Sequence, residues 1–178
     1  YADAVKLLDE GFAKAPPLEE KYGMVKFNAL LAQVKDEAAY AYALKLIEKF
    51  GKEDPNIPFG IVSSVLTDDD DEPLDKLEGP VAKFAVSAAG ELVKIMADFP
   101  GGNGANRSVA QELHAQALFA SGDAKGAVAS QEKAIALAKG SPREKEKSLA
   151  ENLKKYQTGA TKTPEKKPAA TQPPLKKK

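Results

Sequence analysis

The chain has 178 residues, enough for one sizeable domain or for one domain with a tail, and its 26 basic and 26 acidic side chains leave no net charge. Zero net charge removes the global field that gathers nucleic acid or an anionic membrane, and no apolar run approaches the ~20 residues that cross a bilayer. Cysteine is absent, which excludes disulfides, thiolate metal sites and a cysteine nucleophile.

Residues Ala4 to Ala15 are predicted to form a helix with Val5, Leu8 and Phe12 on one face and Pro16-Pro17 as the stop. The stretch from Leu18 to Val34 carries Tyr22, Met24, Val25, Leu30 and Leu31 as a second helix, broken at Lys35-Asp36. A third runs to about Phe50 on Ala39, Tyr40, Ala43, Leu46 and Ile47, with Gly51 as its C-terminal cap. Residues Ile57 to Leu66 fit one helical face, but Gly60 and the β-branched side chains leave a strand open. The acidic run from Asp68 to Glu72, closed by Pro73, ends that segment.

A long helix is predicted from Pro80, a good first-turn residue, with Val81, Phe84, Ala88, Leu92 and Met96 as its apolar stripe, up to Phe99-Pro100-Gly101-Gly102. Val109, Leu113, Ala117 and Leu118 define the next helix, Ser121-Gly122-Asp123 a tight turn, and Ala127, Val128, Gln131, Ala134, Ile135 and Ala138 its partner. Ser141-Pro142-Arg143-Glu144 reads as a capping box opening a mostly charged last helix, whose seam is Leu149, Leu153 and Tyr156 and which Gly159 closes. Apolar toward one side and polar toward water, such a helix suits the end of a helical stack. Residues 159–178 hold four prolines, six lysines and one acid, Glu165, which leaves residues 1–158 with about five net negative charges. The predicted organisation is one all-α domain over 1–158 and a disordered Pro/Lys-rich tail over 159–178.

Helix–turn–helix recurs, and the segment Leu113-His114-Ala115-Gln116-Ala117-Leu118-Phe119-Ala120-Ser121-Gly122-Asp123-Ala124-Lys125-Gly126-Ala127-Val128 resembles a tetratricopeptide repeat. Ala115, Ala127 and Ala134 take the repeat's small positions, where two helices cross closely, and Gly122-Asp123 takes its turn. Gln111 replaces the large aromatic of helix A, Ala124 the turn tyrosine, and the closing proline is displaced to Pro142. Ala4 to Pro16 resembles a helix B, and Phe27 to Phe50 a further unit with Ala39 at the small position. The resemblance implies an αα-hairpin solenoid that binds a peptide or partner protein in the groove of its A helices, here Met24, Asn28, Leu31, Val109, Glu112, Gln116 and Phe119.

Ala38-Ala39-Tyr40-Ala41-Tyr42-Ala43, Gln131-Glu132-Lys133-Ala134 and the closing Leu149-Ala150-Glu151-Asn152-Leu153-Lys154-Lys155-Tyr156 are also similar to helical regions that follow a thioredoxin-like (redoxin) domain in exported bacterial proteins. That likeness implies a non-catalytic companion of a redox domain preceding Tyr1, with Leu8 and Phe12 as the exposed contact, in a periplasmic or otherwise exported setting.

Catalysis and metal or cofactor binding find little support. His114 is the only histidine and lacks the partners of a triad or a metal pair; it reads as an interhelical side chain. The segment from Phe99 to Arg107 lacks the Gly-Lys-Ser/Thr of a phosphate loop and reads as a flexible interhelical loop. Asp68 to Glu72 fails calcium-loop spacing and reads as a solvated loop. Asn106-Arg107-Ser108 is formally a glycosylation sequon. The tail lysines have no interleaved aromatics, so no nucleic-acid partner is expected.

Overall fold

The computed structural model describes residues 1–33, 37–68, 70 and 72–162, the last of these by its backbone only. Among them are eight α-helices and one 3-10 turn: α1 Ala2–Lys14, α2 Pro17–Gln33, α3 Glu37–Phe50, α4 Asn56–Leu66, α5 Gly79–Asp98, α6 Gly104–Ala120, α7 Ala124–Ala138, the turn Pro142–Lys145, and α8 Lys147–Lys162. The protein is all-α. Of the tail predicted over 159–178, residues 159–162 belong to α8 and are not disordered, and the rest, from residue 163 onward, lies outside the described residues. Each helix packs on its neighbour in sequence, and α2 on α4, α3 on α5 and α4 on α6 add contacts to the next but one.

The ambiguous segment is α4, not a strand. Ile57, Pro58, Ile61, Val62, Val65 and Leu66 are all buried. Helix propensity disfavours β-branched residues by only a few tenths of a kcal/mol each, whereas burying such a side chain contributes roughly 1.5–3 kcal/mol. Burial wins. All of these but Pro58 join Phe27, Leu46, Ile47, Phe84, Leu92 and Met96 in the main core. Within it Tyr40 and Phe84 stack with ring centroids 4.6 Å apart.

Three helix boundaries differ from expectation, and at a fourth, the end of α3 at Phe50, only the role of the glycine does. Pro17 opens α2 instead of merely closing α1, because a first-turn residue has no need of an N–H donor. Gly51 has no left-handed φ; a side chain there would meet the Ile47 carbonyl oxygen at 2.6 Å and Ile95 at 2.9 Å, so space requires the glycine. Ser141 does not cap a helix: its hydroxyl donates to the Ala138 carbonyl, Glu144 accepts from the Gly140 N–H, and α8 starts only at Lys147. Gly159 does not end α8, which continues to Lys162; a Cβ there would lie 2.6 Å from Phe119.

The last helix, α8, buries one side only. Leu149 and Tyr156 are 4% and 3% exposed and Leu153 is half-buried, so the seam read from the sequence is the buried one. Ala115, Ala127 and Ala134 are fully buried beneath it. The opposite end differs: α1 has no buried residue, and Tyr1 and Leu7 are 75% and 68% exposed. The exposed apolar side chains on α1 are therefore not Leu8 and Phe12, which are half-buried. Helical spacing turns residues 5, 8 and 12 to α2 and leaves residue 7 outside.

Candidate functional site

A groove of about 1030 Å³ opens between the 75–79 segment, the first half of α5, the end of α6 and the last turns of α8. Its placement follows from how the 67–78 connection is tied down. The Leu74 N–H donates to the Leu66 carbonyl at 2.8 Å, and Asp68 Oδ1 accepts from the N–H groups of Asp70 and Glu72. Leu77 is buried, and its N–H reaches the Ala120 carbonyl at 2.7 Å, which fastens the connection to the end of α6. Gly122 at φ +92° then turns the chain into α7, whose first N–H groups Asp123 caps through Gly126.

Leu77, Ala82, Val86, Phe119 and Ala120 give the groove an apolar lining. Asp75, Lys76, Glu78 and Lys83 bring charges to it. Lys76 pairs with Glu78 and Lys155 with Asp75, all well exposed. The hydrogen bond and charge of Lys76 hold the Glu78 carboxyl below its ordinary range, and Glu78 raises the Lys76 ammonium in the same way. No side-chain oxygen caps the start of α5 at Glu78, and Gly79 and Ala82 of that first turn line the groove. The arrangement offers apolar contact with uncapped backbone donors beside it.

Of the seven residues drawn from the repeat resemblance, Phe119 lines this groove. It lies against Tyr156, ring centroids 4.7 Å apart, and over Gly159. Burial, followed by the charges of Glu112 and Asp75, pushes the Tyr156 hydroxyl up to about 12. The polar groups of Glu112 and Gln116 have internal partners. Glu112 pairs with Arg143 and accepts from Asn152 Nδ2 at 3.0 Å. Gln116 donates to the Leu66 carbonyl at 2.9 Å. Val109 is half-buried on the same helix. On α2, Asn28 is exposed, Leu31 packs against the main core, and Met24 reaches Gly60 of α4. α2 and α6 each pack on α4. Leu77, Ala82, Val86 and Gly159 had no motif to mark them, because the groove is made by a loop folding back across helices distant in sequence.

The remaining sequence features have partners within the fold. His114 Nδ1 lies 3.1 Å from Ser130 Oγ, which donates to Gln111 Oε1 at 2.8 Å, and the imidazole sits over Gly90. Burial and then the Lys133 charge lower its pKa, opposed by Asp123. In the glycine-rich segment Arg107 Nε donates to the Met96 carbonyl, Asn103 caps α6, and Gly104 approaches the Leu137 carbonyl. Ser108 of the sequon is buried and donates to the Ala134 carbonyl. Among the described residues no group of three or more ligating side chains could hold a metal ion, and no helix is long and apolar enough to cross a membrane.

No family model, curated protein or solved structure matches the chain.

Proposed function

We propose that this chain is a non-catalytic helical-repeat module of the tetratricopeptide type that binds an extended segment of a protein or peptide. Packing of each helix on its neighbour in sequence, and of α2 on α4, α3 on α5 and α4 on α6, supports the repeat reading, as do fully buried alanines at positions 115, 127 and 134. The open apolar groove beside Phe119 carries the binding reading. Its floor suits small apolar side chains, and the uncapped first turn of α5 can meet a peptide carbonyl.

Selection from a displayed random-peptide library against the full chain tests this. Binders should weaken at least tenfold against Val86→Asp, which puts a carboxylate on the floor, and change in preferred charge against Glu78→Lys. Circular dichroism confirms that each variant is folded. Binders unaffected by both substitutions would remove the groove from consideration.

A second reading, a structural companion of a thioredoxin-like redox domain, draws support from one observation: the exposed Tyr1 and Leu7 on a helix with no buried residue. Apolar contact there should slow amide exchange along α1 when such a domain from the same organism is supplied. Unchanged exchange along α1 would dismiss that reading.

A further inference from the structure

The chain carries a segment suited to the groove. The described part of α8 runs to Lys162, three residues beyond the groove-lining Gly159, so residue 163 is tethered close to that end of the groove. Residues 163–178 follow, and at ~3.1 Å per residue in an extended proline-rich form they reach roughly 50 Å. That length is ample to turn at Pro164 and run back along the lining.

Their chemistry fits as well. Pro164, Pro168, Pro173 and Pro174 fix φ and remove four N–H donors, which lowers the entropy lost when an extended segment docks. Pro168-Ala169-Ala170 and Pro173-Pro174-Leu175 present small apolar surfaces to a floor made of Ala82, Val86 and Ala120. Five of these sixteen residues are lysine. The groove's own lining charges are balanced, but the wall at Asp75 continues into a connection carrying Asp68, Asp70 and Glu72, and residues 1–158 are net acidic. Charge thus favours a basic strand running toward that connection.

We propose that residues 163–178 occupy this groove within the same chain, as an internal competitor that a partner must displace. The proposal rests on the peptide-binding reading above and adds the identity of one ligand. Intramolecular docking needs little affinity. With an effective concentration of roughly 1 mM, an intrinsic Kd near 0.1 mM fills the groove about nine-tenths of the time and weakens an external peptide about tenfold.

Because the chain has no cysteine, Thr171→Cys places a single nitroxide label on the full-length protein. Amide signals of Ala82, Val86 and Ala120 should broaden. They should recover when Leu175→Glu is combined with Lys176→Glu, Lys177→Glu and Lys178→Glu. These substitutions lie beyond α8, outside the packed helices. The same tail variant should bind a selected peptide about tenfold tighter. Groove amides left sharp, or broadened equally in the tail variant, would overturn the proposal. So would broadening confined to residues 68–72, which marks charge attraction alone. Broadening of labelled-isotope protein by a separately spin-labelled copy would also overturn it, by placing the tail on another molecule. Peptide binding at the groove with no tail contact leaves the module reading standing and removes only the internal competitor.

Discussion

Nε2 of Gln116 donates to the carbonyl of Leu66 across 2.9 Å, so a side chain of α6 finishes the last turn of α4 fifty residues earlier in the chain. The same carbonyl accepts from the Leu74 N–H at 2.8 Å. Removing the amide therefore leaves the acceptor with one partner, and Gln116→Ala should cost about 1 kcal/mol. Gln116→Glu should cost more at neutral pH, because an ionised carboxylate cannot donate and would face a carbonyl oxygen. Chemical denaturation of the two variants checks the order; equal losses would show that the amide is not engaged.

Glu112 holds three parts of the fold together. It pairs with Arg143 and accepts from Asn152, while Arg143 also donates to Ser108. The two charged side chains are 13% and 18% exposed, intermediate between a surface pair and a dry one. Glu112→Ala should cost about 2 kcal/mol, less than the 3–5 of a fully buried pair. A double-mutant cycle with Arg143→Met should give a coupling of about 1 kcal/mol. Additive losses would show that the pair contributes nothing as a pair.

Two helix glycines, Gly11 in the interior of α1 and Gly104 at the first position of α6, should respond to alanine with opposite signs. At Gly11 a new Cβ meets nothing within 4 Å, so Gly11→Ala should stabilise by about 1 kcal/mol through helix propensity alone. At Gly104 the Cβ would sit 2.6 Å from the Leu137 carbonyl oxygen, a backbone atom that cannot swing aside. Gly104→Ala should destabilise by about 1–3 kcal/mol, with no interior-helix propensity to gain at the first position of α6. Thermal melts measure both, and a Gly104→Ala protein as stable as its parent would contradict the close approach.

Burial and the neighbouring Lys133 favour neutral His114 in the folded state, while Asp123 resists. The unfolded chain takes up this proton near the ordinary 6.5, before the folded one does. The contribution is therefore fully present above about pH 6.5 and is lost as pH falls toward the folded value. Between pH 7 and pH 5 the parent should lose more melting temperature than His114→Gln. An imidazole titration followed by NMR should have its midpoint below 6.5; a midpoint at or above it would reverse the sign.

The helices were legible because their apolar residues recur at helical spacing: Phe84, Ala88, Leu92 and Met96 of α5 are all buried as their spacing predicts. The apolar seam of α8 was legible for the same reason. Segment 57–66 was ambiguous for another reason: its buried residues, 57, 58, 61, 62, 65 and 66, do recur at helical spacing, but Gly60 and the β-branched side chains carry poor helix propensity, so spacing and propensity disagreed. Gly51 read as a helix end and does follow the last residue of α3, but Gly159 lies inside α8 and is glycine where Phe119 approaches closely, and such proximity leaves no local signal. The groove has the same origin. Leu77 looks like any leucine in a polar loop until its N–H is found on Ala120.

By itself, then, the sequence determined that the chain is helical, where most helices run, and that neither a cysteine nucleophile nor a thiolate metal site exists. Those properties depend on residue type and on spacing within a few turns. Tertiary structure alone decided which polar side chains are used up inside, as Glu112 and Gln116 are, and which apolar ones remain open, as Phe119 does beside the groove. Both depend on contacts between residues tens of positions apart, and helical periodicity says which face of a helix is covered without saying by what.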